Sequence, residues 1–405
     1  MIDNVRLFQP SSPPADNDAL AVAVDDALAV LGSPAALTVL VNDPYRQTDT
    51  QSVLSLLRRR LPDAAIRALV AVGTHRVADA DRTGHEAALR QAGRIDPIAW
   101  HDCRADSLVD IAAAGIWRGH PWLADSGDLL VIGSVEPHYF AGYTGAHKTA
   151  TIGVAGFDDI TANHAGAMDA RCRPCRLDDN PVFDGVAAML AALESTRSVA
   201  AVNLVQSGDR IIAATGGPPL LALRAAIPAA LRAFAHRVDR QADALIAHVT
   251  GPLALNFYQA DKGVKNSEHA VRDGGLIVLD AACPEGMGDR GGPGARRFVE
   301  LLRQAPTCDQ AIALVDRQGY QLGDHKAVRL RRLTDPSHRN VRLVVVSAGL
   351  SGDALASLGI GSAASVENAL AQAGLDAPDK TIYRVQDAGN LCILPRRDGP
   401  DAAEV

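Results

Sequence analysis

The sequence predicts an α/β protein of two domains, each with a mainly parallel sheet flanked by helices. Three observations predict it. Short apolar runs alternate with helical patterns, which is the arrangement of βαβ units. The alternation begins twice, near residue 36 and again near residue 242. The chain's 405 residues also exceed what a single core ordinarily organises. The boundary falls near residues 237–243, giving domains 1–238 and 239–405, with the active site expected in the cleft between them.

The elements read as follows. Residues 36–41 (ALTVLV) form a buried strand, 53–61 a helix, 68–72 (ALVAV) a strand and 128–132 (DLLVI) another. Residues 198–205 and 210–214, joined by Ser207-Gly208-Asp209, form a hairpin, and 219–236 a long Ala/Leu-rich helix. In the second half, 244–249 is a strand, 268–272 a helix leading to strand 275–279, and 295–303 and 309–317 are helices. Residues 341–346 and 381–385 are strands, and 391–394 closes a small β extension. Segments 9–16, 286–294 and 398–405 have the composition of irregular chain.

Composition narrows the partners. With 47% hydrophobic, 21% charged and only 4% aromatic residues, the core must be built from Ala, Val, Leu and Ile. A net charge of -7 offers no footprint for nucleic acid and no general attraction to anionic membranes. Residues 1–8 carry charges and do not resemble a secretory signal. No run reaches the roughly 18 apolar residues of a membrane helix. A cytoplasmic location is therefore expected. Six scattered cysteines do not make a disulfide framework, and the single pair Cys172/Cys175 lacks the second pair a zinc ribbon needs.

Four segments rich in polar side chains, two of them with glycines, follow apolar runs, where open α/β sheets bind ligands. The first is Asp43-Pro44-Tyr45-Arg46. Taken alone, it reads as a helix-initiating Asp with a surface ion pair. The second, Gly73-Thr74-His75-Arg76, offers a histidine that is either a general base or a loop-capping group. The third runs from Glu136 to Thr149 and contains His138, Gly142, Gly145, His147 and Lys148. Its glycines allow close backbone approach, and Lys148 with nearby N–H groups could hold a phosphate. It is no Walker loop, because His147 rather than Gly precedes the lysine. The fourth, residues 256–262, sets Gln259 and Lys262 on one helical face, either a carboxylate clamp or a solvated surface.

Together these segments resemble the lactate racemase family. The family pattern holds an Asp-x-x-Arg, a Gly-Thr-His-Arg, a Pro-His-x-Phe-Ala-Gly running to a Lys, an Asn-His and a Gln-x-x-Lys, and all occur here in order. Lys148 stands ten residues after His138, and His164 sixteen after Lys148. Asn180-Pro181 also fits, and the resemblance runs from about residue 41 to 327.

The resemblance implies a nickel-pincer nucleotide, a nicotinate-derived mononucleotide whose sulfurs and ring carbon grip nickel. It implies His164 as the protein ligand to nickel and Lys148 as the residue bonded to the cofactor. His75 and His138 become the two acid/base residues, and Asp43 the carboxylate that orients one of them. Arg46, Gln259 and Lys262 become substrate contacts. Tyr258, Gly142 and Gly145 would line the nucleotide. The implied reaction racemises or epimerises a small 2-hydroxy acid: a proton and a hydride leave together, a planar 2-keto acid forms, and the hydride returns to the opposite face. The implied partners are the substrate and the proteins that make the cofactor.

The sequence departs from the family at Pro44-Tyr45, at Ala146-His147 and at Ile152, so Tyr45 and His147 could reshape the pocket. His325 and Lys326, in Tyr320–Lys326, could bind a second polar group of a malate or aldonate, or form a surface cluster at a helix start. His85, His101, His120, His236, His248, His269 and His338 show no ligand spacing. Competing readings are a nicotinamide oxidoreductase, disfavoured because no GxGxxG follows the first strand, and a non-catalytic carrier of the cofactor, which needs no bases. A zinc hydrolase lacks its ligand cluster.

Overall fold

A computed structural model describes residues 5–9, 18–46, 48–112, 115–125, 127–288 and 292–396. The segments 9–16, 286–294 and 398–405, read above as irregular, lie wholly or partly outside these. The chain separates into two compact units, one from residues 12–163 and 175–233, the other from 1–11, 164–174 and 234–405. The crossing near Ala233/Phe234 lies close to the expected 238/239 boundary, but two earlier stretches group with the second half. Val5–Phe8 does so as an edge strand beside Ile382–Val385. Segment 164–174 does so because Arg329 and Arg332 take its carbonyls.

The first unit is built on a six-stranded sheet. Its order is Arg210–Gly217, Val199–Ser207, Asp128–Ser134, Ala36–Asn42, Ala65–Ala71 and Ile98–Trp100. All neighbours run parallel except the first pair, which is the expected hairpin. The central strands are continuous apolar runs because both faces are covered. Leu37, Val39 and Val41 enter one core, and Leu40 enters the other. Helix Thr50–Arg60 starts earlier than its apolar pattern suggests, because Asp49 caps it by accepting from the Ser52 N–H at 3.0 Å. Parallel strands place their following loops at one edge. The Asp43, Gly73–His75 and His138 segments all follow the carboxyl ends of adjacent strands there.

The second unit carries an all-parallel sheet in the order Val5–Phe8, Ile382–Val385, Ala242–His248, Val271–Asp280, Arg342–Val346 and Gly361–Ser362. Three readings need correction. The stretch 268–272 holds only a single 3-10 turn, Glu268–Ala270, before the strand that begins at Val271. The long helix ends at Phe234, and Ala235–Val238 turns into a strand that pairs with Cys392–Pro395, the expected β extension. Residues 320–326 are no surface cluster. Helix Asp324–Thr334 buries His325 and Lys326 at 4% exposure each. Among the described residues, no helix is long and apolar enough to cross a membrane.

Candidate functional site

In the first unit, Asp43 is buried at 3% exposure directly after strand Ala36–Asn42. Its Oδ1 accepts the Tyr45 N–H at 2.9 Å, and its Oδ2 lies 3.0 Å from His75 Nδ1. Asp43 is therefore not a helix cap; Asp49 has that task. Burial pushes the Asp43 carboxyl upward. The hydrogen bond and charge of His75, the charge of Arg46 and the Tyr45 N–H outweigh it and hold the group below its ordinary value. His75 itself keeps its side chain 46% exposed, a buried anion fixing one ring nitrogen and leaving the ring accessible. Arg46 is exposed, with its N–H donating to the Asp43 carbonyl at 3.1 Å. The exposed Tyr45 sends its hydroxyl to Asp81 at 3.2 Å, onto helix Asp79–Gly93.

His138 sits on the two-residue strand Pro137–His138, paired with Gly142–Tyr143. Its Nδ1 accepts the Ala141 N–H at 3.3 Å, and Tyr139 stacks on the ring at 5.1 Å. Phe140 meets it edge-on at 4.5 Å. Lys148 Nζ lies 5.5 Å from the Phe140 ring centre. Gly142 has φ 76°, and a Cβ there would stand 2.3 Å from the Arg176 carbonyl oxygen. Gly145 faces Asn203 and His147 in the same sense. Both glycines thus answer to packing of the chain on itself. The Ala146 N–H is taken by Asn203 Oδ1 at 2.8 Å, and the Lys148 and Thr149 N–H groups by the Gly145 carbonyl. These N–H groups are not free for a phosphate, contrary to the expectation for this loop. Asn180 caps helix Pro181–Glu194 and also donates to the Phe140 carbonyl at 2.9 Å, tying that segment down.

His147 is a core residue, 1% exposed and edge-on to Phe183 at 5.8 Å, which corrects its reading as a pocket residue. Burial, with the Lys148 charge, drives its imidazole down to about 3. A histidine whose folded value lies below the unfolded 6.5 favours folding above pH 6.5 and loses that advantage as pH falls. Between pH 6.5 and 5 this costs about 2 kcal/mol. Urea unfolding at pH 7 and pH 5 should show a fall in stability smaller by that amount in His147→Gln than in the parent chain. Equal falls would show that His147 is not buried neutral.

In the second unit, helix Phe257–Ser267 opens with Asn256 accepting the Gln259 N–H at 3.0 Å. Gln259 is exposed and Lys262 half-buried. Tyr258 turns its ring inward, 5.6 Å from Phe298 and 4.1 Å from Lys326 Nζ, and burial pushes its hydroxyl up to about 12. His164, in the last turn of Phe157–Ala165, lies with its ring centre 6.2 Å from that of His325. His325 Nδ1 is 2.7 Å from the Tyr320 hydroxyl. Burial, with the charges of His164 and Lys326, holds His325 well below the ordinary histidine value.

Beneath these lies an ion cluster that sequence reasoning missed. Asp261, fully buried, sits 4.0 Å from Lys265 Nζ and 3.6 Å from Lys326 Nζ. Lys265 is 3.5 Å from Glu268, which Arg329 approaches at 3.3 Å. Lys326 also donates to the Tyr258 carbonyl, and burial lowers its amine to about 8. The i,i+4 spacing of Asp261 and Lys265 was a usable signal, but nothing local marked the pair as buried. Of the histidines without ligand spacing, His101 contacts the Ala155 carbonyl at 2.9 Å, and His248 pairs with Asp280 at 2.9 Å across adjacent strand ends. Among the described residues, no group of three or more His, Cys, Asp or Glu could hold a metal.

Comparison with known proteins matches residues 18–173 to the lactate racemase N-terminal domain and residues 238–389 to the lactate racemase C-terminal domain. The chain belongs to the lactate racemase family. It is 26% identical over 270 residues to the lactate racemase of Lactiplantibacillus plantarum and 28% identical over 270 residues to that of Thermoanaerobacterium thermosaccharolyticum. Each match covers 63% of this chain and 62% of the relative, so the chain spans under two thirds of the length of these curated relatives. The structure of the lactate racemase apoprotein from the latter organism superposes with a TM-score of 0.78 at 19% identity, covering 98% of this chain and 95% of that one. A Thermotoga maritima protein gives 0.72 at 15% identity, covering 96% and 100%. These likenesses establish that the chain has the lactate racemase family's fold. The domain matches include Asp43, His75, His138, Lys148 and His164 in the first, and Gln259 and Lys262 in the second.

Proposed function

We propose that this chain is a racemase or epimerase that inverts the hydroxyl-bearing carbon of a small 2-hydroxy acid with a nickel-pincer nucleotide. The observation that carries the reading is the Asp43–His75 pair, a buried carboxylate 3.0 Å from an exposed imidazole at a strand's carboxyl end. Two named lactate racemases among the chain's relatives support the substrate class.

The donor set fits the cofactor. A pincer nucleotide would bring its own ligands to the metal, and the His164 imidazole would be the protein group that holds it. Lys148 supplies the amine for attachment. Tyr258 is the poor fit, because its ring faces Phe298 and Lys326. When bound, the group supplies a reversible hydride acceptor.

The residues supply the proton chemistry. Asp43 accepts Nδ1–H of His75, which leaves Nε2 as the base for the substrate hydroxyl. The Ala141 N–H donates to Nδ1 of His138, which places the proton of that neutral ring on Nε2. One imidazole is therefore set to take a proton and the other to give one, which is what inversion through a planar keto acid requires. Gln259 and Lys262, one turn apart on helix Phe257–Ser267, are suited to clamp the substrate carboxylate. This reading implies a soluble cytoplasmic enzyme served by the proteins that make the cofactor.

The test is co-expression with the cofactor-making proteins, followed by polarimetry on single enantiomers of 2-hydroxy acids. Rotation should decay for at least one acid, and no decay with any of them would end the proposal. His164→Ala should purify without nickel; unchanged nickel content would remove its role.

A further inference from the structure

Helix Asp324–Thr334 stands outside every role given so far, yet its side chains converge on the short segment that carries His164. Arg329 is 6% exposed. One of its guanidinium nitrogens donates to the Cys172 carbonyl and, at 3.5 Å, to the Ala167 carbonyl. The other reaches Glu268 Oε1 at 3.3 Å. One turn away, Arg332 donates to the Met168 carbonyl at 2.9 Å. At the start of the same helix, His325 packs its ring against His164 and is itself held by the Tyr320 hydroxyl.

The gripped segment is built from turns rather than from a regular ladder. It is a 3-10 turn, Gly166–Met168, followed by turns closed by the Asp169 N–H on the Gly166 carbonyl and the Cys172 N–H on the Asp169 carbonyl. Such a segment has no helix or sheet ladder, so its backbone carbonyls need other partners when they are covered. Arginine's planar fork serves several carbonyls from one fixed position, which a flexible ammonium does not.

We propose that Arg329, Arg332 and His325 are positioning residues, forming a clamp that fixes the segment 166–172 and thereby the direction of the His164 imidazole. The inference rests on the reading of His164 as a cofactor-facing residue only for its purpose; the clamp itself is a property of the chain without cofactor. A metal accepts an imidazole over a narrow range of directions, so groups that hold the ring determine how long the metal stays. The buried Glu268 completes the device by neutralising Arg329, and Lys265 in turn faces Glu268.

The experiment uses the full chain in two states. Without cofactor, hydrogen exchange at amides 166–172 and the Hε1 resonance of His164 are followed in Arg329→Gln, Arg329→Lys and Arg332→Gln. We expect exchange at least tenfold faster in Arg329→Gln, a partial rescue in Arg329→Lys, and a smaller change in the same direction in Arg332→Gln. The His164 resonance should move toward that of a solvent-exposed histidine, while strand Ala242–His248 keeps its protection. With cofactor loaded, nickel should leave Arg329→Gln at least tenfold faster than the parent chain. If Arg329→Gln does not fold, Arg332→Gln, which replaces a half-buried residue, carries the test. Unchanged exchange and an unmoved His164 resonance overturn the clamp. Faster exchange with an unchanged nickel off-rate overturns its control of His164. Should His164→Ala retain its nickel, the metal role of His164 fails, and the clamp is then judged on exchange and resonance alone.

Discussion

On the proposed function, replacing His75 or His138 with alanine should lower turnover by roughly 10²–10⁴-fold, the range that positioned acid–base groups contribute, while nickel content and fold stay unchanged. The reason is geometric. His75 touches the protein through Nδ1, at Asp43 Oδ2, and its side chain is half exposed. Removing it takes away little packing. His138 lies stacked on Tyr139 and edge-on to Phe140, and His75 is the partner of the buried Asp43 carboxylate, so a loss of stability is expected in both variants. Asp43→Asn should also lower turnover, because its one amide oxygen cannot accept from both the Tyr45 N–H and His75 Nδ1–H and it supplies no charge for an imidazolium at His75. Asp43 is held below the ordinary carboxylate value, so its contribution is present above about pH 3.8 and is lost only as pH falls through the lower folded value. Single-turnover kinetics from each enantiomer would separate the two bases. If either alanine variant keeps full activity in both directions, the two-base scheme is wrong.

What could be read in the sequence follows the range of the forces involved. The parallel strands were legible because burial on both faces forces unbroken apolar runs such as residues 36–41 and 128–132. The pairing of Asp43 with His75 was suggested only by the family resemblance, since adjacency of two strand ends is not written in either segment. Helix Asp324–Thr334 escaped notice for a different reason. Its sequence, DHKAVRLRRLT, has the look of a solvated surface, and its charges are buried only because carbonyls and carboxylates distant in the chain receive them. His147 misled in the opposite sense. A titratable residue inside a glycine-rich motif reads as chemistry, whereas here it fills space against Phe183. The glycines Gly142 and Gly145 pointed to a ligand, yet the atoms that exclude a Cβ belong to the chain itself.

The buried ion cluster yields the second large effect. Glu268→Gln should destabilise the folded chain by about 3–5 kcal/mol, the cost of stranding a buried charge. Glu268 faces Lys265 at 3.5 Å and Arg329 at 3.3 Å, with Arg339 donating to its backbone carbonyl at 2.8 Å. Burial alone would raise its carboxyl. Lys265, Arg329, His269 and Arg339 overcome this and hold it at about 2. A carboxylate depressed from 4.5 contributes stability that is complete above pH 4.5 and lost as pH falls toward 2, worth about 3 kcal/mol by linkage. The difference in urea stability between parent and Glu268→Gln should be full at pH 6 and shrink by pH 3. A gap under 1 kcal/mol, or one that ignores pH, would mean that water already screens the cluster. The double variant Lys265→Met with Glu268→Gln should lose less than Glu268→Gln alone, because it also removes one of the cations that Glu268 neutralised. Asp261 would then face Lys326 alone, which keeps that carboxylate matched.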